Sequence, residues 1–191
     1  MKFVIGTVQW GIKYGISNDS GIPKDIEIKK ILNYANKNKI SYLDTASVYG
    51  NSEKRIGKLS KNNFKIITKI KSLSNKGSIK MELNKSIKNL NSNSIYACLI
   101  HDIKEILSNS SKWNQLKYEK ERGKISKIGF SLYNPNELDL IIKKGFIPDI
   151  VQLPYSVLDR KFEPYFRKIR DLGSEIHVRS IFFARIVFFK C

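Results

Sequence analysis

The stretch ISYLDTASVYGNSEKRIGK (Ile40–Lys58) contains one strand, one loop and the start of one helix. The apolar run Ile40–Asp44 predicts a buried strand that ends on a carboxylate, and Ser52-Glu53 is typical of a helix N-terminus. Similar apolar runs recur at a steady spacing and predict further strands at Phe3–Gly6, Phe64–Lys69, Tyr96–His101, Lys127–Ser131, Ile150–Pro154 and Glu175–Arg179. Repeated strand–helix units predict a parallel sheet with right-handed crossovers.

The segments between these strands have the helical period. Apolar residues recur at i, i+3, i+4 and i+7, which predicts amphipathic helices. Pro23-Lys24-Asp25 and Asn134-Pro135-Asn136-Glu137 give two more helix starts, because proline in the first turn loses no hydrogen bond. The two clearest apolar stripes are Ile28, Ile31, Leu32 and Ala35, and Met81, Leu83, Ile87 and Leu90.

Two architectures fit this alternation, an open doubly wound sheet and a closed barrel. The open sheet usually carries a glycine-rich fingerprint, but Gly6–Gly11 reads GTVQWG and no GxxxxGK[ST] motif occurs. Barrels instead hold their active sites at the carboxyl ends of several strands. The sequence therefore predicts an α/β protein, a (β/α)8 TIM barrel with about seven strands present, in one domain over residues 1–191. The polar strand-end residues that favour the barrel are Asp44, Lys69, His101, Ser131 and Gln152.

The chain is strongly basic, with 35 Lys and Arg against 17 Asp and Glu among 191 residues and a formal net charge of +18. The lysines are spread nearly evenly, in a chain that is also rich in isoleucine and asparagine. An even spread favours solvated helix faces over a phosphate-binding stripe, so we expect no specific nucleic-acid partner. A polyanion-binding protein is the least favoured of the functions considered.

Cysteine content and hydropathy argue against several other classes of protein. Cys98 and Cys191 form neither a disulfide framework nor a metal-binding CxxC pair, so we expect a reducing cytoplasm and no metal site. No segment approaches the ~20 apolar residues of a membrane span. The first eleven residues lack the unbroken apolar core of a signal peptide.

Four polar side chains at or just after consecutive strands suggest a shared chemistry: Asp44, Tyr49, Lys69 and His101. Taken singly, Asp44 is typical of a helix cap or turn residue, and Lys69 of an exposed surface lysine. His101 alone is typical of a histidine at a strand end whose hydrogen bonds are made within the fold. Together they suit proton transfer to a carbonyl. A tyrosine pKa near ~10 is high for an acid at neutral pH, and a neighbouring ammonium is expected to lower it. The imidazole can donate to the carbonyl and orient it.

The segments LDTASVYGNSEKRIGK (Leu43–Lys58), IITKI around Lys69 and LIHD around His101 resemble the aldo/keto reductase superfamily. IGTVQWGIKYGISN, IGFSLYNP and VQLPYSVLDR resemble one of its subgroups, and the resemblance covers nearly the whole chain. It implies that Tyr49 is the general acid, that Lys69 and Asp44 tune it, and that His101 orients an aldehyde or ketone. The implied cofactor is NADPH, with NADH as an alternative.

The resemblance also implies further binding residues. Ser131 and Gln152 match positions that hold the nicotinamide carboxamide, whereas Leu132 departs from the pattern, because many members carry asparagine there. Arg179 falls where many members place an aromatic ring on the nicotinamide. Thr7 is expected to line the cofactor site and Trp10 the substrate mouth.

A complete barrel takes about 250 residues, and this chain ends shortly after its seventh predicted strand. The expectation is a barrel truncated before its eighth strand, with weak dinucleotide binding and with self-association or aggregation through unpaired edges and the apolar tail Ser180–Phe189. The alternative function is a non-catalytic barrel remnant that serves as a binding or assembly protein.

Overall fold

The structure, a computed structural model, describes residues 2–15, 18–61, 63–71 and 78–181. Its strands are β1 (Ile5–Gly6), β2 (Tyr42–Asp44), β3 (Lys65–Ile70), β4 (Ile95–Ile100), β5 (Ile125–Ser131), β6 (Ile150–Pro154) and β7 (Glu175–Arg179). Its helices are α1 (Asp25–Lys37), α2 (Ser52–Leu59), α3 (Ile79–Asn89), α4 (Lys104–Ser108), α5 (Ser111–Glu121), α6 (Pro135–Lys143) and α7 (Phe166–Asp171). Short 3₁₀ turns occupy Val8–Trp10 and Glu163–Tyr165.

The seven strands form one parallel sheet in the order β1-β2-β3-β4-β5-β6-β7. In a flat sheet, β2 and β6 would lie about 19 Å apart, at about 4.8 Å per strand. Gln152 on β6 nevertheless donates a hydrogen bond to Asp44 on β2 over 2.8 Å. The sheet is therefore curled into the larger part of a barrel. This confirms the predicted incomplete (β/α)8 barrel.

Alternation along the strands separates two faces. Leu43, Ile66 and Val151 belong to the large outer core, where the sheet packs against the helices. Their strand neighbours Ile67 and Ile150 belong to a smaller cluster on the inner face. The polar strand-end residues have the same parity as this inner cluster. They therefore lie on the inner face of the curl, at its carboxyl end.

Several predicted details differ from the structure. The first strand is only Ile5–Gly6, and two helices, α4 and α5, follow β4 where one was expected. The predicted helical stripes were wrong at Ile31 and Met81, which are 39% and 69% exposed. Packing against the curled sheet selects Ile28 and Leu32 on α1, and Ile79 and Leu83 on α3, as the buried faces.

Within the described residues, β1 pairs only with β2 and β7 only with β6. Residues 182–189 of the predicted apolar tail lie outside the described part of the chain. Self-association through these edges stays a prediction. Among the helices of the described residues, none is long and apolar enough to cross a membrane.

Candidate active site

A buried ion pair lies at the carboxyl end of β2 and β3. Lys69 Nζ donates to Asp44 Oδ2 at 2.6 Å and to the Thr45 carbonyl at 2.9 Å. Gln152 Nε2 donates to the other carboxylate oxygen, Oδ1, at 2.8 Å. The Lys69 side chain is only 1% exposed. Burial lowers the pKa of the Lys69 ammonium and the Asp44 carboxylate opposes that shift. Asp44 thus favours the charged form of Lys69, which burial disfavours.

Backbone contacts fix the loop that carries Tyr49. The Tyr49 N–H donates to the Ala46 carbonyl at 3.0 Å, and the Ser52 N–H donates to the Tyr49 carbonyl at 3.0 Å. Gly11 packs so closely that a Cβ there would lie 1.7 Å from the Tyr49 carbonyl oxygen. Gly50 has φ +55, and its Cβ position would lie 2.4 Å from the Gly11 carbonyl oxygen. Glycine at both positions is therefore needed to seat Tyr49 against the β1 loop.

The Tyr49 ring lies near both a cation and an imidazole. Lys69 Nζ is 5.3 Å from the centre of the ring. The centres of the Tyr49 and His101 rings are 6.1 Å apart, and their planes meet at 85°. The structure thus brings together Asp44, Tyr49, Lys69 and His101, as the sequence predicted.

The electrostatics of Tyr49 differ from the expectation. Burial, followed by the Asp44 charge, raises the pKa of the Tyr49 phenol above its ordinary value. The nearby Arg179 charge opposes this shift. The expected net lowering of this pKa by Lys69 is not observed, because burial and the Asp44 charge dominate. In this state the phenol keeps its proton at neutral pH.

His101 is neutral at physiological pH. Burial, aided by the charges of Lys69, Lys71 and Arg179, lowers the pKa of its imidazole to about 4. A neutral imidazole has one N–H donor and one acceptor nitrogen. His101 Nδ1 is buried and has no hydrogen-bond partner among the described residues. The ring can therefore act as a hydrogen-bond donor to a substrate without becoming an imidazolium.

A cavity of about 450 Å³ opens beside these groups. Its volume falls in the range of small-molecule sites. His101 is the only member of the set of four that lines it within the described chain. Among the described residues, the cavity is lined by Val48, Lys71, His101, Asp102, Lys104, Tyr133 and Glu137.

Arg179, the last residue of β7, reaches the same end of the sheet. Its guanidinium carbon lies 4.2 Å from the centre of the Tyr133 ring. Its Nη2 donates to the Leu132 carbonyl at 3.1 Å. Tyr133 in turn lines the cavity, so Arg179 is held against the cavity wall.

A family model for the aldo/keto reductase family matches residues 2–182. The chain belongs to the aldo/keto reductase family. This agrees with the fold and with the four converging side chains. The family is one of oxidoreductases, which is the class that the sequence predicted.

Solved aldo/keto reductases have the same fold. A Pseudomonas aeruginosa protein assigned as an aldo-keto reductase is 25% identical with a TM-score of 0.79, covering 93% of this chain and 72% of that chain. The Bacillus halodurans aldo-keto reductase in its holo form is 22% identical with a TM-score of 0.75, covering 94% and 61% respectively. A Bombyx mori aldo-keto reductase in complex with NADP is 20% identical with a TM-score of 0.71, covering 93% and 61%. No curated protein sequence matches the chain.

The remaining predicted site residues of this aldo/keto reductase are mostly buried. Thr7 is fully buried and its hydroxyl donates to the Asp44 carbonyl at 2.9 Å, so it supports the residue that holds Lys69. Trp10 is 4% exposed and packs in the outer core, so here it does not line the cavity. Ser131 is 2% exposed and pairs in register with Gln152. The cofactor and substrate roles assigned to these residues stay predictions.

Sequence reasoning missed several residues of the cavity wall. Lys71 follows the end of β3 directly, and Tyr133 lies two residues beyond the end of β5. Barrels build their active sites from the loops that follow the strands as well as from the strand ends, so both residues could have been predicted from their positions. Asp102, Lys104 and Glu137 carry no comparable signal, because helix starts on any surface have similar residues.

Proposed function

We propose that this aldo/keto reductase reduces an aldehyde or ketone to an alcohol with NADPH, with Tyr49 as the proton donor. The observation that carries the proposal is the convergence of a neutral phenol, a buried ammonium–carboxylate pair and a neutral imidazole, of which the imidazole of His101 lines the cavity. Lys69 Nζ lies 5.3 Å from the Tyr49 ring centre, and the Tyr49 and His101 ring centres are 6.1 Å apart. These are the groups that carbonyl reduction needs.

Each side chain has a distinct role in this proposal. Tyr49 gives its proton to the carbonyl oxygen, and the Lys69 ammonium stabilises the phenolate that remains. Asp44 keeps Lys69 charged through the 2.6 Å contact. His101, which is neutral because its pKa is lowered to about 4, donates a hydrogen bond that orients the carbonyl. Tyr49 regains its proton from solvent after the alcohol leaves.

The residues fit a nicotinamide. Gln152 Oε1 is buried and has no hydrogen-bond partner among the described residues, and the Ser131 hydroxyl belongs to the neighbouring residue in register. A carboxamide offers both the N–H donor and the carbonyl acceptor that such a pair can bind. When bound, reduced nicotinamide supplies the hydride that the carbonyl carbon accepts. The Bombyx mori relative, whose structure contains NADP, supports NADPH over NADH.

We further propose a cytoplasmic setting. The support is that Cys98, the one cysteine among the described residues, is a free thiol outside any disulfide.

The test uses the full chain with NADPH and a panel of aldehydes of different size and charge. We expect NADPH to bind, as followed by its fluorescence, and to be consumed in equal amount with the alcohol formed. Replacement of NADPH by NADH is expected to slow the reaction. Binding of NADPH without any turnover across the panel would favour the non-catalytic binding or assembly protein. Absence of both binding and turnover would refute the reductase proposal.

A further inference from the structure

Arg55 binds both ends of the segment that connects the first 3₁₀ turn with α1 (residues 11–24). Its Nη1 donates to the Trp10 carbonyl, at the start of this segment, over 2.7 Å. Its Nη2 donates to the Pro23 carbonyl, near the other end, over 2.6 Å. Its Nε donates to Asp25 Oδ1, in the first residue of α1, over 2.8 Å. One side chain of α2 therefore holds the two ends of the connecting segment to a single helix.

These contacts need the shape of a guanidinium. Three nitrogens of one planar group reach two backbone carbonyls and a carboxylate, and the charge is matched by Asp25, whose Oδ1 lies 2.7 Å from Arg55 Nη2. A lysine ammonium is a single point charge on a flexible stem and does not reproduce such a fork. The Arg55 side chain is only 16% exposed, so water competes weakly for these acceptors.

The contact between Arg55 and Trp10 lies next to the backbone of Tyr49. Gly11 follows Trp10 directly, and a Cβ on Gly11 would lie 1.7 Å from the Tyr49 carbonyl oxygen. The same carbonyl accepts from the Ser52 N–H at 3.0 Å, and Ser52 begins the helix that carries Arg55. The contacts therefore form a closed set that runs from α2 through the connecting segment to Tyr49 and back to α2.

The start of α2 is fixed to the sheet by contacts that do not involve Arg55. Ser52 Oγ donates to the Thr7 carbonyl at 2.9 Å. The Glu53 carboxylate accepts from the Thr68 hydroxyl at 2.7 Å, and both side chains are buried. Loss of the guanidinium is therefore expected to leave the helix in place and to release the connecting segment.

We infer that Arg55 is a positioning residue for Tyr49: it holds the Trp10–Gly11 backbone against the Tyr49 peptide and so fixes the phenol that donates the proton. This inference rests on the proposed reductase function and adds to it a residue outside the four converging side chains. A proton donor must lie within hydrogen-bond reach of its acceptor, and a small displacement lowers the rate by a large factor.

The kinetic test compares Arg55→Met with Lys58→Met. Lys58 is the matched control, because it lies on the same helix and donates to the other oxygen of Asp25 at 3.1 Å, but its side chain is 72% exposed. We expect kcat for aldehyde reduction to fall about 10- to 100-fold in Arg55→Met, and by less than about twofold in Lys58→Met. Arg55→Lys keeps the charge without the fork and is expected to stay at least about fivefold below wild type. Wild-type kcat in Arg55→Met or Arg55→Lys, or an equal loss in Lys58→Met, would overturn the inference.

A double-mutant cycle separates positioning of the phenol from a general structural effect. When Arg55→Met is added to Tyr49→Phe, no phenol remains to be positioned, so we expect the residual kcat to fall by less than about threefold. If the loss from Arg55→Met is the same with and without the Tyr49 hydroxyl, Arg55 does not act through Tyr49.

Hydrogen exchange tests the contact without turnover. The N–H groups of Gly11, Tyr49 and Ser52 form backbone hydrogen bonds within the closed set of contacts. We expect them to exchange at least about tenfold faster in Arg55→Met than in the wild type or Lys58→Met, with the amides of β4 and β5 unchanged. If Arg55→Met does not fold, Arg55→Lys takes its place in each measurement. Unchanged exchange, or faster exchange throughout the chain, would refute the inference. If the wild type reduces no aldehyde but exchange changes as expected, the reductase proposal fails and the hold of Arg55 on the Tyr49 backbone stands.

Discussion

The two ends of the curled sheet use the same residue types in opposite ways. At the carboxyl end, Lys69 is 1% exposed and lies 5.3 Å from the Tyr49 ring centre. At the amino end, Lys65 and Lys127 lie 5.5 and 5.7 Å from the Tyr96 ring centre. Both ends thus place ammonium groups over tyrosine rings. Only one end has the features of an active site.

The two ends differ in how far their lysines are removed from water. Lys127 is 31% exposed and pairs with Glu175, and that hydrogen bond raises the pKa of its ammonium. Burial instead lowers the pKa of Lys69. An exposed pair is screened by water, so its charges mainly stabilise the fold, and weakly. A buried pair costs free energy to form, and this cost is more readily explained where the charges serve a reaction.

The largest expected effect comes from removing one lysine at each end. Lys69→Met leaves the Asp44 carboxylate with the Gln152 amide alone, so we expect the free energy of unfolding to fall by about 3–5 kcal/mol. Lys127→Met breaks a partly exposed pair and is expected to cost less than about 1 kcal/mol. Urea denaturation of both variants measures the difference. Equal losses would show that the two ends do not differ in desolvation.

A smaller effect is expected from the pH dependence of the carboxyl end. The pKa of His101 is about 4 in the folded chain and near ~6.5 when unfolded, so between these values the unfolded chain binds the extra proton. Stability from this residue is therefore complete above about pH 6.5 and falls as the pH drops toward 4. His101→Gln is expected to reduce the drop in Tm between pH 7 and pH 5. An unchanged drop would contradict the assigned burial of His101.

The smallest effect concerns salt. Added salt screens exposed pairs, so the stability difference between wild type and Lys127→Met is expected to shrink by a few tenths of a kcal/mol in about 0.5 M NaCl. The difference for Lys69→Met is expected to persist. Urea titrations at low and high salt test this. A stronger salt dependence for Lys69→Met than for Lys127→Met would contradict the greater burial of the Lys69 pair.

The fold was predictable because its signals are local and repeated. The apolar runs and helix starts recur along the chain, and the carboxyl ends of parallel strands share one face of a barrel. Asp44, Lys69 and His101 could therefore be placed together from their positions alone. Tyr49, in the loop after β2, could be added to them because it follows Asp44 by five residues, and the family resemblance then implied its role as the acid.

Other features depend on the curl of the sheet. The bond from Gln152 to Asp44 joins residues 108 positions apart, which no local pattern encodes. The stacking of Arg179 on Tyr133 depends on side-chain directions that tertiary packing sets. Likewise, the raised pKa of Tyr49 follows from burial and from the nearness of the Asp44 charge, which the sequence does not reveal.

The role of Tyr49 as the acid is tested most directly by replacing one tyrosine at each end of the sheet. Tyr96 is a matched control because its hydroxyl lies at the amino end, where it donates to Glu175 at 3.4 Å. We expect Tyr49→Phe to lower kcat for NADPH-dependent aldehyde reduction by 10²–10⁴, the usual contribution of general acid catalysis, with NADPH affinity retained. Tyr96→Phe is expected to keep kcat within about twofold of wild type. Retention of kcat by Tyr49→Phe, or an equal loss in both variants, would contradict the assignment of Tyr49 as the acid.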